Sequence, residues 1–437
     1  VSLDPSVAAS LSAVHIVGTG LLGTSVGLGL AGTSVRVTLA DPSPTALALA
    51  RDLGAGLVVG TGKDQGVTGA DCGVTGADCG VTGADCGVTG ADRGVASADR
   101  GVTGADRGVT GADRGVTGAD RGVTSADRDP VLVVVAAPPD VTAGVVAAQL
   151  ERFPDATVTD VASVKAGVLR ELVQRGADLS RYVGGHPMAG RERSGAVAAR
   201  GDLFLGRPWV VCPTAKTEPE RVDALRRLAL ALGAVPMTMS AEDHDAAVAR
   251  VSHVPQVAAS LVAARLRHAP DAAVSLAGQG LRDVTRIAGS DPMLWAQILA
   301  ANAGPVAEVL RELRGDLDGV ITALDALTQE VPGEPTAGGR SAVARAVADG
   351  NLGRERIPGK HGGSPARYAV VTVLVPDAPG SLARLFTDVG AAGVNVEELV
   401  LEHAPGRAVG LVEVSVLPGS RETLEEALTA TGWHVVA

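Results

Sequence analysis

The chain has 437 residues, 46% apolar but only 2% aromatic, which gives room for two or three domains and predicts cores packed by Ala, Val and Leu. A formal net charge of −11 and a pI near 5.3, without any basic cluster, argue against nucleic acid as a partner. No apolar run reaches the ~18 residues of a membrane span, no secretory signal pattern is present, and the four cysteines lack the spacing of a disulfide framework or a metal site. The expectation is a cytoplasmic protein with no membrane partner and no metal.

Residues 13–17 read as a buried strand that runs into Gly18-Thr19-Gly20-Leu21-Leu22-Gly23, and 24–31 continue as a helix. This is GxGxxG between strand and helix. Gly18 and Gly20 permit a tight turn and close approach of a pyrophosphate, Gly23 lets helix and strand pack, and Leu21 and Leu22 open the helix whose N-terminus faces the anion. The next strand, 35–40, ends at Asp41. An acid there bonds a ribose 2′-hydroxyl and repels a 2′-phosphate, so the expected cofactor is NAD and not NADP. His15, inside the first strand, reads as a core histidine.

A helix at 44–53 and a short strand at 56–59 follow, and then the pattern stops. Residues 66–128 are nine tandem heptads of the form Gly-Val-Thr-Gly-Ala-Asp-Cys/Arg. One Val per copy leaves no seam to bury and the glycines penalise a helix, so the expectation is a flexible insertion, with a glycine-rich solenoid as the alternative. Strands resume at 131–137, closing at Pro138-Pro139-Asp140, and at 156–159, which ends in Asp160-Val161-Ala162-Ser163-Val164-Lys165. Ser163, at the carboxyl end of a strand, is either a helix N-cap or a group that bonds a nicotinamide or orients a neighbouring base. Lys165 reads as a surface residue.

Next comes Gly184-Gly185-His186-Pro187-Met188-Ala189-Gly190, read as a loop stiff at Pro187 and bare elsewhere, in which a substrate can reach His186 closely. A charged segment with Glu192 follows, and the strand 208–212 closes a first domain at 13–213. From 241 to 327 apolar residues recur at three- and four-residue spacing, predicting a helical domain over 214–330. His253 and Gln256 share a helix face there, while His244 falls nearly opposite His253 unless the helix is broken. Arg282 and Arg286 are either solvated surface charges or, with Trp295 after the Asp291-Pro292 helix start, a carboxylate-binding corner.

The Pro-, Gly- and Arg-rich stretch 331–366 reads as a linker. Over 367–437 the period becomes that of strands: 368–375, a turn through Asp377-Ala378-Pro379-Gly380-Ser381-Leu382 into a helix, a strand opening at 394–396, a strand at 408–416, a helix at 421–429 and a last strand at 434–436. That is a βαββαβ order, and about seventy residues suit a ligand-binding regulator better than a catalytic domain.

The Gly18–Gly23 fingerprint, Asp160 to Lys165, Gly184 to Gly190 with Glu192, Ser252-His253-Val254-Pro255, and Thr285-Arg286-Ile287-Ala288 followed by Asp291-Pro292 and Trp295 together resemble the prephenate and arogenate dehydrogenases. The C-terminal unit resembles an ACT domain. The resemblance spans almost the whole chain outside the repeat and the linker. It implies an α/β Rossmann domain, an all-helical dimerisation domain and an α+β regulatory domain, in a homodimer that oxidatively decarboxylates its substrate with NAD in tyrosine synthesis. Carried onto this chain, it makes His186 the base, Ser163 the residue that positions His186 and the nicotinamide, and Arg286 the clamp on the ring carboxylate. His253 lines the substrate site, and Trp295 and Glu192 shape it. Many prephenate-using relatives carry a histidine where this chain has Gln256, beside the substrate side chain. A neutral amide can donate to a keto oxygen or accept from an ammonium, so Gln256 leaves arogenate as the alternative to prephenate. For the last domain the expected effector is tyrosine, near Asp377, Gly380, Leu382 and Asn395 at a pair of domains; the alternative is a dimerisation module that binds nothing.

Two rival readings fit less well. The β-hydroxyacid dehydrogenases use a catalytic lysine in their helical domain, and this chain has none between Lys216 and Lys360. A non-catalytic amino-acid sensor is disfavoured by the joint presence of His186, Ser163 and Arg286.

Overall fold

The computed structural model describes residues 11–58, 129–190, 195–329, 338–358, 368–403 and 408–436. The heptads at 66–128 and Glu192 lie outside them.

The first body is an eight-stranded sheet in the order β3-β2-β1-β4-β5-β6-β7-β8. Its strands are β1 (Ala13–Val17), β2 (Arg36–Ala40), β3 (Leu57–Val58), β4 (Leu132–Val135), β5 (Thr157–Asp160), β6 (Tyr182–Pro187), β7 (Pro208–Pro213) and β8 (Val235–Thr238). β1 to β6 are parallel. β7 runs antiparallel to β6, and β8 pairs parallel to β7. The order 3-2-1-4-5-6 is that of a dinucleotide fold, with its reversal point between β1 and β4, as the sequence predicts. The central strands are buried because both faces are covered: Val14, Ile16, Leu132 and Val134 face one core and Val133, Val135 and Val158 the other. Helices α1 (Leu21–Leu30), α2 (Pro44–Asp52), α3 (Pro139–Arg152), α4 (Ala166–Gln174) and α5 (Pro219–Ala231) supply those covers.

Two expected boundaries move. β8 belongs to the sheet, so the first domain does not end at residue 213 but runs on through α5 to Thr238. His186 is not on a loop: it lies within β6, between β5 and β7. The glycines before it serve packing. A Cβ on Gly185 would stand 2.6 Å from the Asp160 carbonyl oxygen, and one on Gly184 would stand 3.2 Å from Lys165 Cδ.

Helices follow from residue 241, as the spacing predicts: α6 (Ala241–Val248), α7 (Val254–Arg265), α8 (Asp271–Val274), α9 (Gln279–Thr285), α10 (Pro292–Ala301) and α11 (Ala303–Thr328). Asp291 caps α10 through bonds from the Met293 and Leu294 amides, with Pro292 in the first turn. α10 and α11 meet at 95° across Asn302. Among the described residues no single helix is long and apolar enough to cross a membrane. The stretch read as a linker contains α12 (Gly339–Arg354), which packs on α11 at Gly339, where an added Cβ would meet Leu327 at 3.0 Å. Its glycines and alanines allow that close approach, which composition alone had suggested was a spacer.

The C-terminal part is a four-stranded antiparallel sheet, order β10-β11-β9-β12, from β9 (Ala369–Pro376), β10 (Glu398–His403), β11 (Val409–Val416) and β12 (His434–Val436). α13 (Ser381–Ala391) and α14 (Arg421–Ala430) cover one face through Leu385, Val389, Leu424 and Leu428. This is the expected βαββαβ unit, although the strand read from residue 394 begins at Glu398. Trp433 closes the core, donating from Nε1 to Asp388 at 2.7 Å, under the Arg384 guanidinium 4.5 Å from its ring.

Candidate functional site

The glycine turn is built as its sequence requires. Gly18 has φ +99°, and a Cβ there would stand 2.3 Å from the Ala136 carbonyl oxygen; one on Gly23 would stand 1.9 Å from the Gly18 carbonyl oxygen. A Cβ on Gly20 would meet nothing within 4 Å, so the space above it is open. α1 starts at Leu21 and Leu22 with no side-chain cap and no acid in its first turn, leaving its amides and dipole available to an anion. The turn thus fits a dinucleotide pyrophosphate. Asp41 is already engaged: Oδ2 accepts from the Thr19 amide at 2.6 Å and its hydroxyl at 2.9 Å, and Oδ1 accepts from the Ser43 amide. The acid at the end of β2 therefore also clamps the glycine turn.

His15 is a core histidine, as read. Its Nδ1 meets the Thr38 hydroxyl at 2.9 Å, and burial pushes its pKa from 6.5 down to about 4, with the Arg152 charge adding to the shift.

The carboxyl ends of β5 and β6 hold a buried polar cluster. Lys165, read as a surface residue, is 1% exposed; its ammonium bonds the Asp160 carboxylate and the Gly185 carbonyl. Asp160 also accepts from the Ala162 amide and from the Tyr182 hydroxyl at 2.7 Å. All these partners are donors, so Asp160 is the anion and Lys165 its counter-charge. Together they tie β5 to the carbonyl of Gly185, next to His186.

His186 Nδ1 lies 2.8 Å from His244 Nε2, and His244 Nδ1 lies 2.8 Å from Asp245 Oδ1. The Asp245 carboxylate caps α4, accepting from the Lys165 amide at 2.8 Å and the Ala166 amide at 2.9 Å. Because that carboxylate only accepts, His244 Nδ1 carries a proton; with a neutral His244 ring its Nε2 then accepts and His186 Nδ1 donates. His186 Nε2 is left with a lone pair and, among the described residues, no partner. Burial, then the charges of His244, Lys165 and His253, hold its pKa well below 6.5.

The conflict between His244 and His253 is resolved by a π-helical segment at Ala249–His253. Each π-turn takes more residues than the ~3.6 of an α-turn, which rotates the following face by roughly a quarter turn. Both histidines are buried, at 0% and 1% exposure. His253 packs edge-on against Trp295, ring centroids 6.1 Å apart. Gln256 is buried one turn further on, its Nε2 3.4 Å from the Ser260 hydroxyl and its Oε1 3.5 Å from that of Ser290.

Two expected residues enter none of the hydrogen bonds named above. Ser163 is half-buried; it does not cap α4, a task done by Asp245, and the hydrogen bond that orients His186 comes from His244. Arg286 is exposed at the start of the 3-10 turn Arg286–Ala288, which packs against α7. Sequence reading missed Lys165, Asp245 and Asn302. The signal available for Asp245 was its place beside His244, since paired imidazole and carboxylate commonly act together.

A dinucleotide turn, a neutral histidine with a bared nitrogen and a helical segment closing over it define a nucleotide-dependent dehydrogenase. Comparison with known proteins gives the family. The model of the prephenate dehydrogenase nucleotide-binding domain matches residues 89–238, and that of the prephenate dehydrogenase dimerization domain matches 240–331. The probable prephenate dehydrogenase NovF of Streptomyces niveus is 36% identical over 304 residues, covering 69% of this chain and 83% of that protein. The prephenate dehydrogenase of Bacillus subtilis is 28% identical over 59% of this chain and 67% of its own length. The structure of prephenate dehydrogenase from A. aeolicus, in complex with hydroxyphenyl propionate and NAD⁺, shares the fold at a TM-score of 0.55 and 23% identity, covering 79% of this chain and 98% of that one. The chain belongs to the prephenate dehydrogenase family.

Proposed function

We propose that the chain is an NAD-dependent prephenate dehydrogenase, converting prephenate to 4-hydroxyphenylpyruvate and CO₂. The observation that carries the reading is the lone pair left on His186 Nε2 by the His244–Asp245 relay. A neutral imidazole takes a proton from the substrate's ring hydroxyl at working pH, and the charge it gains is met by Asp245 through His244. The turn at Gly18, Gly20 and Gly23 with the start of α1 holds the pyrophosphate, and Asp41 faces the ribose. NAD⁺, when bound, accepts the hydride from the ring carbon that bears the hydroxyl. Loss of CO₂ leaves an aromatic ring, so the step runs downhill and a weak base suffices. Ser163 positions the nicotinamide, Arg286 holds the ring carboxylate, and Trp295 with Glu192 shapes the pocket.

Arogenate, giving tyrosine directly, is the second reading, favoured by Gln256: its amide oxygen can accept from an ammonium as readily as its NH₂ donates to a keto oxygen. The exposed apolar side chains of the helical region, such as Leu317, Ile321 and Leu324, support a homodimer. The βαββαβ unit supports an ACT-like regulator that takes tyrosine. Within one copy, Asp377 and Gly380 lie at the start of α13 and Asn395 beyond its end; α13 has eleven residues, about 16 Å of helix, so a single effector touches both ends only across two copies.

One assay tests the base, the substrate and the effector: NADH formation by the whole protein with prephenate and arogenate side by side, with and without tyrosine, and with His186→Asn as control. Turnover of prephenate, lost in His186→Asn and lowered by tyrosine, is expected. Turnover of arogenate alone would reverse the substrate, and no effect of tyrosine would remove the effector.

A further inference from the structure

We propose that Asn302 is a positioning residue that locks His253 in the Nε2–H tautomer, making it a fixed hydrogen-bond donor that selects a keto-acid side chain over an amino-acid one. The tautomer stands on geometry alone; the selection rests on the dehydrogenase reading above.

Asn302 occupies the corner between α10 and α11, 2% exposed, with its side chain turned inward. Its Nδ2 lies 2.8 Å from the main-chain carbonyl oxygen of Asp245 and 3.1 Å from His253 Nδ1. The carbonyl oxygen has nothing to donate, so the group facing it must be the NH₂; the flipped amide would set oxygen against oxygen. That NH₂ has two protons, one for each neighbour. His253 Nδ1 must therefore accept, and its proton resides on Nε2. Burial holds the ring neutral, lowering its pKa to about 4, with Asp245 opposing and His244 adding to the shift. His253 Nε2 bonds no described residue and is not among their sealed, unpartnered atoms.

Asp245 thus sets two histidines oppositely. Through its carboxylate and His244 it makes His186 an acceptor; through its carbonyl and Asn302 it makes His253 a donor. The two helix irregularities make this reach possible, since the π segment swings His253 round and the 95° corner aims Asn302 at it. On the dehydrogenase reading, in which Gln256 stands beside the substrate side chain, Gln256 one turn beyond His253 and Trp295 against its ring put this donor near that side chain. A fixed N–H there bonds a keto oxygen, whereas an ammonium would present N–H to N–H. A buried donor left unpaired is the usual source of strong discrimination.

The direct test is the ¹⁵N spectrum of the histidine-labelled full chain at neutral pH, whose eight histidines are few enough for His253 to be assigned by its loss in His253→Gln. An unprotonated Nδ1 and a protonated Nε2 are expected for His253. A proton on Nδ1 would overturn the proposal whatever the enzyme does. Asn302→Asp supplies the second arm: a carboxylate accepts from Nδ1, reverses the tautomer, and should lower the ratio of kcat/KM for prephenate over arogenate by about tenfold or more. A folded Asn302→Asp whose spectrum shows the proton on Nδ1 alone, with an unchanged ratio, would sink the selection. Turnover of neither substrate by the native protein, with the expected spectrum, would remove the dehydrogenase reading and the selection while the tautomer stood.

Discussion

Histidines carry most of the chemistry of this molecule, and their burial is written into its response to acid. His15 and His253 have pKa values near 4 in the fold against 6.5 unfolded, so between these values the unfolded chain binds more protons than the folded one. Stability is therefore expected to be flat in these groups above pH 6.5 and to fall as pH falls from there toward 4. Thermal midpoints measured across that window check the sign. His15→Leu, which also removes the unpartnered Nε2, should flatten the decline; an unaltered slope would mean that His15 is not part of it. At this scale the sequence disclosed which residues matter more readily than what they touch. His186, His253 and Trp295 stood out by their motifs. Lys165 did not: Asp160 lies five residues before it, but the pair is buried only because the end of β6 brings the Gly185 carbonyl against the ammonium, a contact that no local spacing announces.

Among elements, the turn from β1 into α1 was the most legible, because its glycines answer to sterics that are local. The structure separates their duties. Gly23→Ala would drive a methyl into the Gly18 carbonyl and should destabilise the protein by several kcal/mol, on the order of other overpacked sites. Gly20→Ala meets nothing, so the fold should keep its thermal midpoint while NAD affinity drops, because the methyl enters space reserved for the pyrophosphate. Isothermal titration with NAD⁺ beside calorimetry separates the two, and equal stability losses would refute the division. The helices of 241–328 were legible by period, but the π segment was not. Its local sequence has no proline or glycine before His253, and the widened turn is fixed by what packs on it. β6 was misread for a related reason: Gly-Gly-His-Pro has loop composition, yet strands on both sides and a lysine beneath leave room only for glycine.

The molecule as a whole is joined at Asp245. One carboxylate caps α4 of the sheet domain and anchors the His244–His186 relay from the helical domain. Asp245→Ala is expected to cost about 2–4 kcal/mol through two orphaned helix amides and an unanchored His244, and to lower kcat by about a hundredfold or more through the lost tautomer. A further Asp245→Ala change in His186→Asn should then add little to the loss of rate. Retained kcat with lowered stability would show that Asp245 is a cap alone. Fold class and domain order were legible at this scale because repeated strand and helix periods average over many residues; the join was not, since it depends on contacts between residues 58 to 80 apart in the chain.

The placement of His186 within β6, paired with Val210 of β7, also decides which half of the site can move. A base carried by a strand in a ladder cannot swing toward its substrate without breaking the ladder. The short helices and the turn bearing Arg286 are not strands of that ladder. The sheet domain therefore acts as the anvil, with its proton acceptor set when the chain folds, and any closing stroke belongs to the helices.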